Sequence, residues 1–226
     1  MHDVHIIYIV YFGADVNLAA SSSHAGRRSR KRERTANHLA MTAFELFEAH
    51  GFEMVTMEQI ADAADVAKRT LYNYFPVKEA LLAHQFRQEI ATGMEALCSD
   101  IEHEAGFAGR MRLLMKASAK WNRSRRVYLP HYLRFRMGEA GTWARRSAAE
   151  KHSSGSSQIL EQLFRAGQAS GEVRHDLSAG ELAVMFEFMC VAAVTTWLHQ
   201  PKVSLEKRFA VALDVLLDGI SPSARP

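Results

Sequence analysis

Residues Thr56 to Phe75 read TMEQIADAADVAKRTLYNYF and carry the most informative pattern in the chain. Thr56, followed three residues later by Gln59, matches a capping box, so a helix is expected to begin here. Ala64–Val66 then leaves room for only a turn of about three to four residues before a second helical segment, Lys68–Phe75. Two short helices joined by such a turn are typical of a helix-turn-helix.

A longer helix is expected on each side of this motif. From Glu33 onward the apolar residues recur at helical spacing: Leu39, Ala43, Leu46 and Phe47. Gly51 is expected to end this first helix. A fourth helix is expected from about Val77 towards His103, with Pro76 allowed in its first turn.

The charges are distributed unevenly along these helices. Residues 35–65 contain six acidic side chains and no Lys or Arg, whereas residues 66–78 contain Lys68, Arg69 and Lys78 and no acid. Phosphates repel carboxylates and bind cations, so a basic second helix suits DNA. Arg27–Arg34 (RRSRKRER) has six basic residues and one acid. This run is interpreted either as a solvated tail or as a basic arm that reaches phosphates or a narrow minor groove.

The residues from Arg34 to Leu81 resemble the N-terminal domain of the tetracycline-repressor (TetR/AcrR) family over about 48 continuous residues without a gap. The resemblance rests on four strings: AFELFEAHGF from Ala43, TMEQIA from Thr56, ADVAKRTLYNYF from Ala64 and KEAL from Lys78. Three positions depart from the family pattern. Asp65 replaces the usual Gly of the turn, Ala67 replaces a common N-capping Ser, and Arg69 stands where Gly is frequent.

The resemblance and the chemistry of the side chains together give a set of expected DNA contacts. Arg69 could bind guanine and Asn73 could read adenine in the major groove. Lys78 is expected to bind phosphate at the start of the fourth helix. Leu71 and Phe75 are expected in the core. The expected DNA-contacting residues are Arg30, Arg34, Thr56, Lys68, Arg69, Thr70, Tyr72, Asn73, Tyr74 and Lys78.

The rest of the chain carries apolar stripes of further helices but no shared motif. Helices are expected over residues 107–123, 127–137, 158–169 and about 179–199, with a last helix after Pro201. Ser153–Ser157 (SSGSS) is expected to be a break, Gly171 a helix end, and Ser178 with Glu181 a second capping box.

The last two helices are apolar on more than one face, which favours burial against a partner. The residues off the main stripes are Val184, Phe188, Val191, Val211 and Val215. The resemblance implies a homodimer through these two helices, which form a four-helix bundle across a two-fold axis, with an interface of about 2,000 Å² or more. Such a dimer would present two recognition helices to a palindromic operator.

The same region is expected to bind a small molecule that is apolar, with an anionic or phenolic group as a further possibility. Thioethers and aromatic rings can line adaptable apolar cavities, although ordinary core packing is the competing interpretation of each. The candidate ligand-binding residues are Met115, Trp121, His131, Phe135, Met185 and Met189.

We therefore expect an all-α protein in three parts. Residues 1–26 would be a poorly ordered extension, residues 27–78 a three-helix helix-turn-helix domain with its basic arm, and residues 79–226 a helical ligand-binding and dimerisation domain, reached by the long fourth helix. For the extension, a start site assigned too far upstream and a targeting or membrane-touching segment are the alternatives to a loose tail.

The expected function is a DNA-binding transcriptional regulator, a repressor released from its operator by the small molecule. The alternative is a helical interaction module that has lost DNA binding, which Asp65 and Ala67 favour and Lys68, Arg69 and Lys78 oppose. An enzyme is not expected, because the chain lacks G-x-S-x-G, H-E-x-x-H and Gly-rich phosphate loops.

Composition gives weaker bounds on the class of protein. The 226 residues carry a net charge of only +3, and the two cysteines exclude a disulfide scaffold and favour a reducing compartment such as the cytoplasm. No apolar run approaches the roughly 18 residues that span a bilayer, so no membrane contact is expected. Neither a cofactor nor a metal is expected.

Overall fold

A computed structural model describes residues 23–143 and 155–220, and within these ranges the chain forms nine helices. They are α1 (Ser23–His50), α2 (Met57–Ala63), α3 (Lys68–Tyr74), α4 (Lys78–His103), α5 (Gly106–Ser124), α6 (Leu129–Trp143), α7 (Gly155–Ala169), α8 (Ala179–His199) and α9 (Leu205–Ile220). The expected all-α class is confirmed. The extension assigned to residues 1–26 lies mostly outside the described residues.

Two helices begin earlier than the sequence predicts. α1 begins at Ser23 rather than near Glu33, so the basic run lies inside a helix and is not an extended arm. Arg, Lys and Glu have high helix propensity, which allows this extension without an apolar stripe. α7 begins at Gly155, so the expected break at Ser153–Ser157 is wrong for residues 155–157. Pro76 lies in the loop before α4 rather than in its first turn.

The chain divides into two compact units. In the described residues the first unit consists of 23–89 and 128–143, and the second consists of 90–127 and 155–220. α4 contributes residues to both units. α6 belongs to the first unit, although the chain before and after it belongs to the second. The boundary at residue 78 that separates DNA-binding from ligand-binding functions stays a prediction.

The core of the first unit brings α1, α2, α3, α4 and α6 together. Its fully buried side chains include Leu39, Phe47, Ile60, Leu71, Leu81, Leu82, Phe86 and Leu129. The Tyr128 ring lies 5.2 Å from that of Phe44, and the Tyr132 ring lies 5.1 Å from that of Phe86, so α6 packs into this core. Burying each such aliphatic or aromatic side chain contributes roughly 1.5–3 kcal/mol.

In the second unit α8 packs between α7 and α9, and α5 packs on both α7 and α9. Its fully buried side chains include Met111, Phe164 and Phe186. Gly171, with φ of +76°, ends α7 as expected. The second capping box is also present, because Ser178 Oγ accepts from the Glu181 N–H at 3.2 Å while the Ser178 N–H donates to Glu181 Oε2 at 2.9 Å.

α8 differs from the expectation about apolar runs. By length and composition it is the one helix of the described residues that could cross a membrane, and only 28% of its most apolar 18-residue window is buried inside the chain. Glu181 and Glu187 interrupt the apolar run of α8, so no continuous apolar stretch of this length is visible in the sequence. An apolar helix of a soluble protein passes the same test of length and composition. Exposed apolar side chains such as those of α8 are typical of a surface that binds another molecule.

Candidate DNA-binding interface

The helix-turn-helix begins at the predicted cap of α2. The Thr56 N–H donates to Gln59 Oε1 at 2.8 Å, and Thr56 Oγ1 accepts from the Gln59 N–H at 3.2 Å. This reciprocal pair gives a hydrogen-bond acceptor to two backbone N–H groups, those of Thr56 and Gln59, that would otherwise lack a partner at the helix start. Ile60 and Ala61 are fully buried, so the face of α2 that carries them packs into the core.

The turn between α2 and α3 is made by Asp65 in the left-handed conformation, with φ of +53°. Within the described residues Asp65 is the one non-glycine residue with positive φ. The Val66 N–H donates to the Ala61 carbonyl at 3.0 Å, which closes the turn without a glycine. Asp tolerates the left-handed conformation better than most residues, so Asp65 can form this turn where the family pattern usually has Gly.

α3 is seven residues long and starts without help from a side chain. Its N-cap is Ala67, and among the described residues no side chain caps it, neither Asp65 nor any other. Helices this short are marginal in water, so the orientation of α3 depends on packing. Leu71 is fully buried and Phe75 is nearly so, as expected for the two core residues of this segment.

The remaining side chains of α3 form its solvent-facing surface. Lys68, Arg69, Tyr72 and Asn73 are exposed, and Thr70 and Tyr74 are half-buried. Lys68 lies 3.5 Å from Glu58 Oε1 of α2, an ion pair in which both side chains remain well exposed. The pKa of Glu58 is lowered, first by a backbone hydrogen bond at its own residue and second by the charge of Lys68. Because exposed pairs of this kind are weak, Lys68 can exchange Glu58 for a phosphate.

Lys78 has an intramolecular role that the sequence did not reveal. Its ammonium donates to the Phe52 carbonyl at 2.7 Å, lies 3.4 Å from the Glu53 carbonyl, and sits 4.8 Å from the centre of the Phe52 ring. Lys78 thus fixes the loop between α1 and α2 to the start of α4. An ammonium has three N–H donors, so a phosphate contact by Lys78 stays a prediction.

The basic start of α1 adds a contact that was not on the list of expected residues. The guanidinium carbon of Arg32 lies 5.1 Å from the centre of the Tyr74 ring in α3. Arg30 and Arg34, the two residues chosen from the sequence, are both exposed on the same helix. Only the tertiary structure could single out Arg32, because the sequence presents six basic residues in one run without an order among them.

The six candidate ligand-binding residues are divided between the two units. His131 and Phe135 belong to the first unit, where the His131 ring stacks on that of Phe52 at 4.2 Å and its Nε2 lies 3.7 Å from Glu53 Oε1. His131 therefore supports the loop between α1 and α2, and its contact with a ligand stays a prediction.

The other four candidates belong to the second unit. Met115 is buried with its sulfur 3.8 Å from that of Cys190, and Trp121 and Met189 are half-buried. Burial raises the pKa of the Cys190 thiol to about 12, with Glu187 as a smaller cause, so this thiol stays protonated and unreactive. Met185 is 58% exposed on α8, and its contact with a ligand stays a prediction.

A helix-turn-helix whose second helix exposes basic and amide side chains defines a DNA-binding regulator of transcription. Residues 41–84 match the family described as bacterial regulatory proteins, tetR family. These residues therefore form the N-terminal DNA-binding domain of TetR-family transcriptional regulators, which are not enzymes.

Several relatives and solved structures are similar to this chain. A protein named as a mycofactocin biosynthesis transcriptional regulator, from Mycobacterium tuberculosis, is 26% identical over 197 residues, which cover 87% of this chain and 96% of the relative. The fatty acid metabolism regulator protein of Bacillus subtilis is 24% identical over 79% of this chain and 91% of its own.

Among solved structures, Thermus thermophilus FadR, a TetR-family transcriptional repressor in complex with lauroyl-CoA, superimposes with a TM-score of 0.67 at 20% identity. The match covers 84% of this chain and 98% of that one. The Bacillus subtilis regulator FadR in complex with stearoyl-CoA matches with a TM-score of 0.54 at 22% identity, covering 81% and 98% of the two chains. At these identities the likeness establishes the fold.

Proposed function

We propose that this protein is a repressor that binds a palindromic operator as a homodimer and leaves it when a small molecule binds. The observation that carries the proposal is the surface of α3. Lys68, Arg69 and Asn73 are exposed there, and the helix contains no acidic residue. Such a helix can enter the major groove, where Arg and Asn make bidentate contacts to guanine and adenine. The protein would act in the cytoplasm of a bacterial cell, where the operator is.

The second unit supports a ligand with both an apolar chain and an anionic head. On α5, the side of Met111 and Met115 is buried, whereas Arg112, Lys116 and Lys120 are exposed. α5 carries five basic residues and no acid. Two similar structures hold lauroyl-CoA and stearoyl-CoA, molecules of this chemical class. We therefore infer that a long-chain acyl-CoA is the first effector to test, with Met115, Trp121 and Met189 near the acyl chain.

Release from the operator requires that the ligand distinguishes two conformations of the protein. A ligand that binds both conformations equally shifts nothing, however tightly it binds. The conformer that binds acyl-CoA would hold the two recognition helices of the dimer at a spacing that does not match the operator half-sites, which lie one helical turn of DNA apart, about 34–36 Å.

The test is fluorescence anisotropy on genomic fragments selected by the protein itself, compared with scrambled DNA at two salt concentrations. Sequence-selective binding is expected at about 0.15 M salt, with palmitoyl-CoA releasing the DNA while CoA alone and palmitate release far less. The variant that combines Lys68→Ala with Arg69→Ala should bind at least about 30-fold more weakly.

A variant that combines Arg165→Ala with Lys202→Ala is the matched control, since it removes two exposed cations from the second unit. Loss of selectivity with equal binding to both DNAs at low salt would show only non-specific attraction by basic residues. Unchanged affinity in the Lys68 and Arg69 variant would favour the interaction module instead.

A further inference from the structure

Arg32 occupies the point where the inner face of α1 leaves the core and meets α3. Leu39, seven residues later in α1, is fully buried, and Thr35, three residues later, is half-buried, so Arg32 continues their helix face by one more turn. Its guanidinium carbon lies 5.1 Å from the centre of the Tyr74 ring. Arg30 and Arg34 are each two residues away and point to the other side of the helix.

The C-terminal end of α3 is attached to α1 at a second place as well. The Phe75 ring meets the edge of the His84 ring at 5.3 Å, and His84 Nε2 lies 2.6 Å from Asn37 Oδ1 in α1. Asn37 is one and a half turns further along α1 than Arg32. α1 therefore contacts neighbouring residues of α3 directly through Arg32 and indirectly through Asn37 and His84.

Among the described residues, no equivalent restraint is present at the beginning of α3, because Ala67 provides no cap and Lys68 has only an exposed partner. A seven-residue helix gains little stability from its own hydrogen bonds. The orientation of its DNA-facing side chains consequently depends on contacts at its buried face and at its C-terminal end. The cation–π contact between Arg32 and Tyr74 is one of these, and it lies at the solvent-facing edge of the helix.

We propose that Arg32 is a positioning residue for DNA binding: it covers the Tyr74 ring, fixes the end of α3, and thereby joins the basic start of α1 and the recognition helix into one DNA-facing surface. This proposal rests on the proposed function. It differs from both interpretations of the basic run, which were a solvated tail and an arm that reaches phosphates or a narrow minor groove. A positioning residue acts through Tyr74, so its effect must disappear when the ring is absent.

A double-mutant cycle separates the two roles. Arg32→Ala is measured with and without Tyr74→Leu, and Lys31→Ala is the matched control because it removes the same charge from the same helical turn. In the wild-type background, Arg32→Ala is expected to weaken operator binding about two- to fivefold more than Lys31→Ala does. In the Tyr74→Leu background the two should be equal. Tyr74→Phe keeps the ring and should preserve the excess effect of Arg32→Ala.

The free protein supplies a readout that needs no DNA. The Phe75 N–H donates to the Leu71 carbonyl at 2.8 Å at the end of α3, and its hydrogen exchange reports local opening there. We expect Arg32→Ala to speed exchange at Phe75 by about two- to fivefold and Lys31→Ala to leave it unchanged.

Equal effects of the two variants on exchange, or an Arg32→Ala effect on operator binding that is the same in both Tyr74 backgrounds, would overturn the proposal. A wild-type protein that selects no DNA, but whose Phe75 exchange still responds to Arg32→Ala, would contradict the proposed function and leave the positioning role standing.

Discussion

His84 is a neutral histidine held between α1, α3 and α4. Its Nδ1 lies 3.3 Å from the Arg87 guanidinium, which can only donate, so Nε2 carries the proton and donates to Asn37 Oδ1 at 2.6 Å. Burial lowers the pKa of His84 to about 4, and the charge of Arg87 acts in the same direction. Protonation would place a second cation beside Arg87 next to the aromatic ring of Phe75.

This arrangement predicts a loss of stability in mild acid. The unfolded chain binds a proton at His84 below about pH 6.5, whereas the folded protein does not until about pH 4. The free energy of unfolding therefore falls as the pH drops through this window, and His84 has no such effect above it. After discounting for the exposed part of the ring, the contribution lost by pH 4.5 should be ~1–2 kcal/mol.

The measurement is urea unfolding of the wild type and of His84→Gln at pH 7 and pH 4.5. Gln keeps a donor for Asn37 but does not titrate, and comparing the two proteins removes the contribution of carboxylates that both share. The wild type should lose more stability than the variant between the two pH values. Equal losses would show that His84 titrates normally in the folded protein.

At the scale of single residues, the sequence predicted those interactions that join residues close together in the chain. The caps at Thr56 and Ser178 and the left-handed turn at Asp65 are interactions within a few residues, and all three are present. The contacts of Lys78 and His131 with the loop at Phe52 were not predicted, and their expected contacts with phosphate and with a ligand stay predictions. Phe52 is distant from both residues in the sequence. Tertiary packing therefore determines whether these side chains contact solvent, a ligand or the protein itself.

At the scale of the element, α3 has the backbone geometry of a capped helix start, but no side chain of the described residues caps it. Ala67 has φ of −62° and ψ of 140°, the extended geometry of an N-cap residue. Ala67→Thr should let a hydroxyl accept from a free N–H of the first turn, whereas Ala67→Val has the same shape and no acceptor. We expect the Thr variant to exceed the Val variant by ~1 kcal/mol in free energy of unfolding and to bind operator more tightly.

Urea unfolding and operator titration of the same two variants check this expectation. A pre-formed α3 binds DNA without a further ordering cost, so both quantities should change in the same direction. If Thr and Val prove equal in both measurements, the first turn of α3 already has its N–H groups satisfied by water, and the missing cap is without consequence.

The sequence predicted which segments are helical better than where they begin. α5, α8 and α9 carry continuous apolar stripes, and their bounds follow the expectation within a few residues. α1 and α7 start earlier than expected, in a basic run and in a Gly-Ser segment. A helix can begin before its apolar stripe does, since the first turn needs partners for its N–H groups rather than a buried face.

At the scale of the whole molecule, the second unit exposes an apolar surface that the described residues of one chain do not cover. Met185 and Phe188 on α8 are 58% and 61% exposed, and Val211 and Val215 on α9 are 62% and 59% exposed. Spacings of three and four residues place each pair on one face of its helix. Large exposed apolar patches mark interaction sites, and this surface coincides with the helices expected to form the homodimer.

If the protein dimerises through this surface, one introduced carboxylate should strongly weaken the dimer. Phe188→Glu should change the stability of one chain little, because the side chain is already exposed there. In the dimer it would bury two carboxylates near a two-fold axis, so the dissociation constant should rise at least about 100-fold. Sedimentation equilibrium gives the mass of the wild type, of this variant and of Val215→Glu.

Met54→Glu is the matched control, since Met54 is 74% exposed and belongs to the first unit. It should remain a dimer. A monomeric Phe188→Glu variant should also lose operator affinity, because one recognition helix reads only one half-site and the second contact is no longer held at a high effective concentration. A variant that is still dimeric, or a wild type that is monomeric at micromolar concentration, would mean that the exposed faces of α8 and α9 serve another partner.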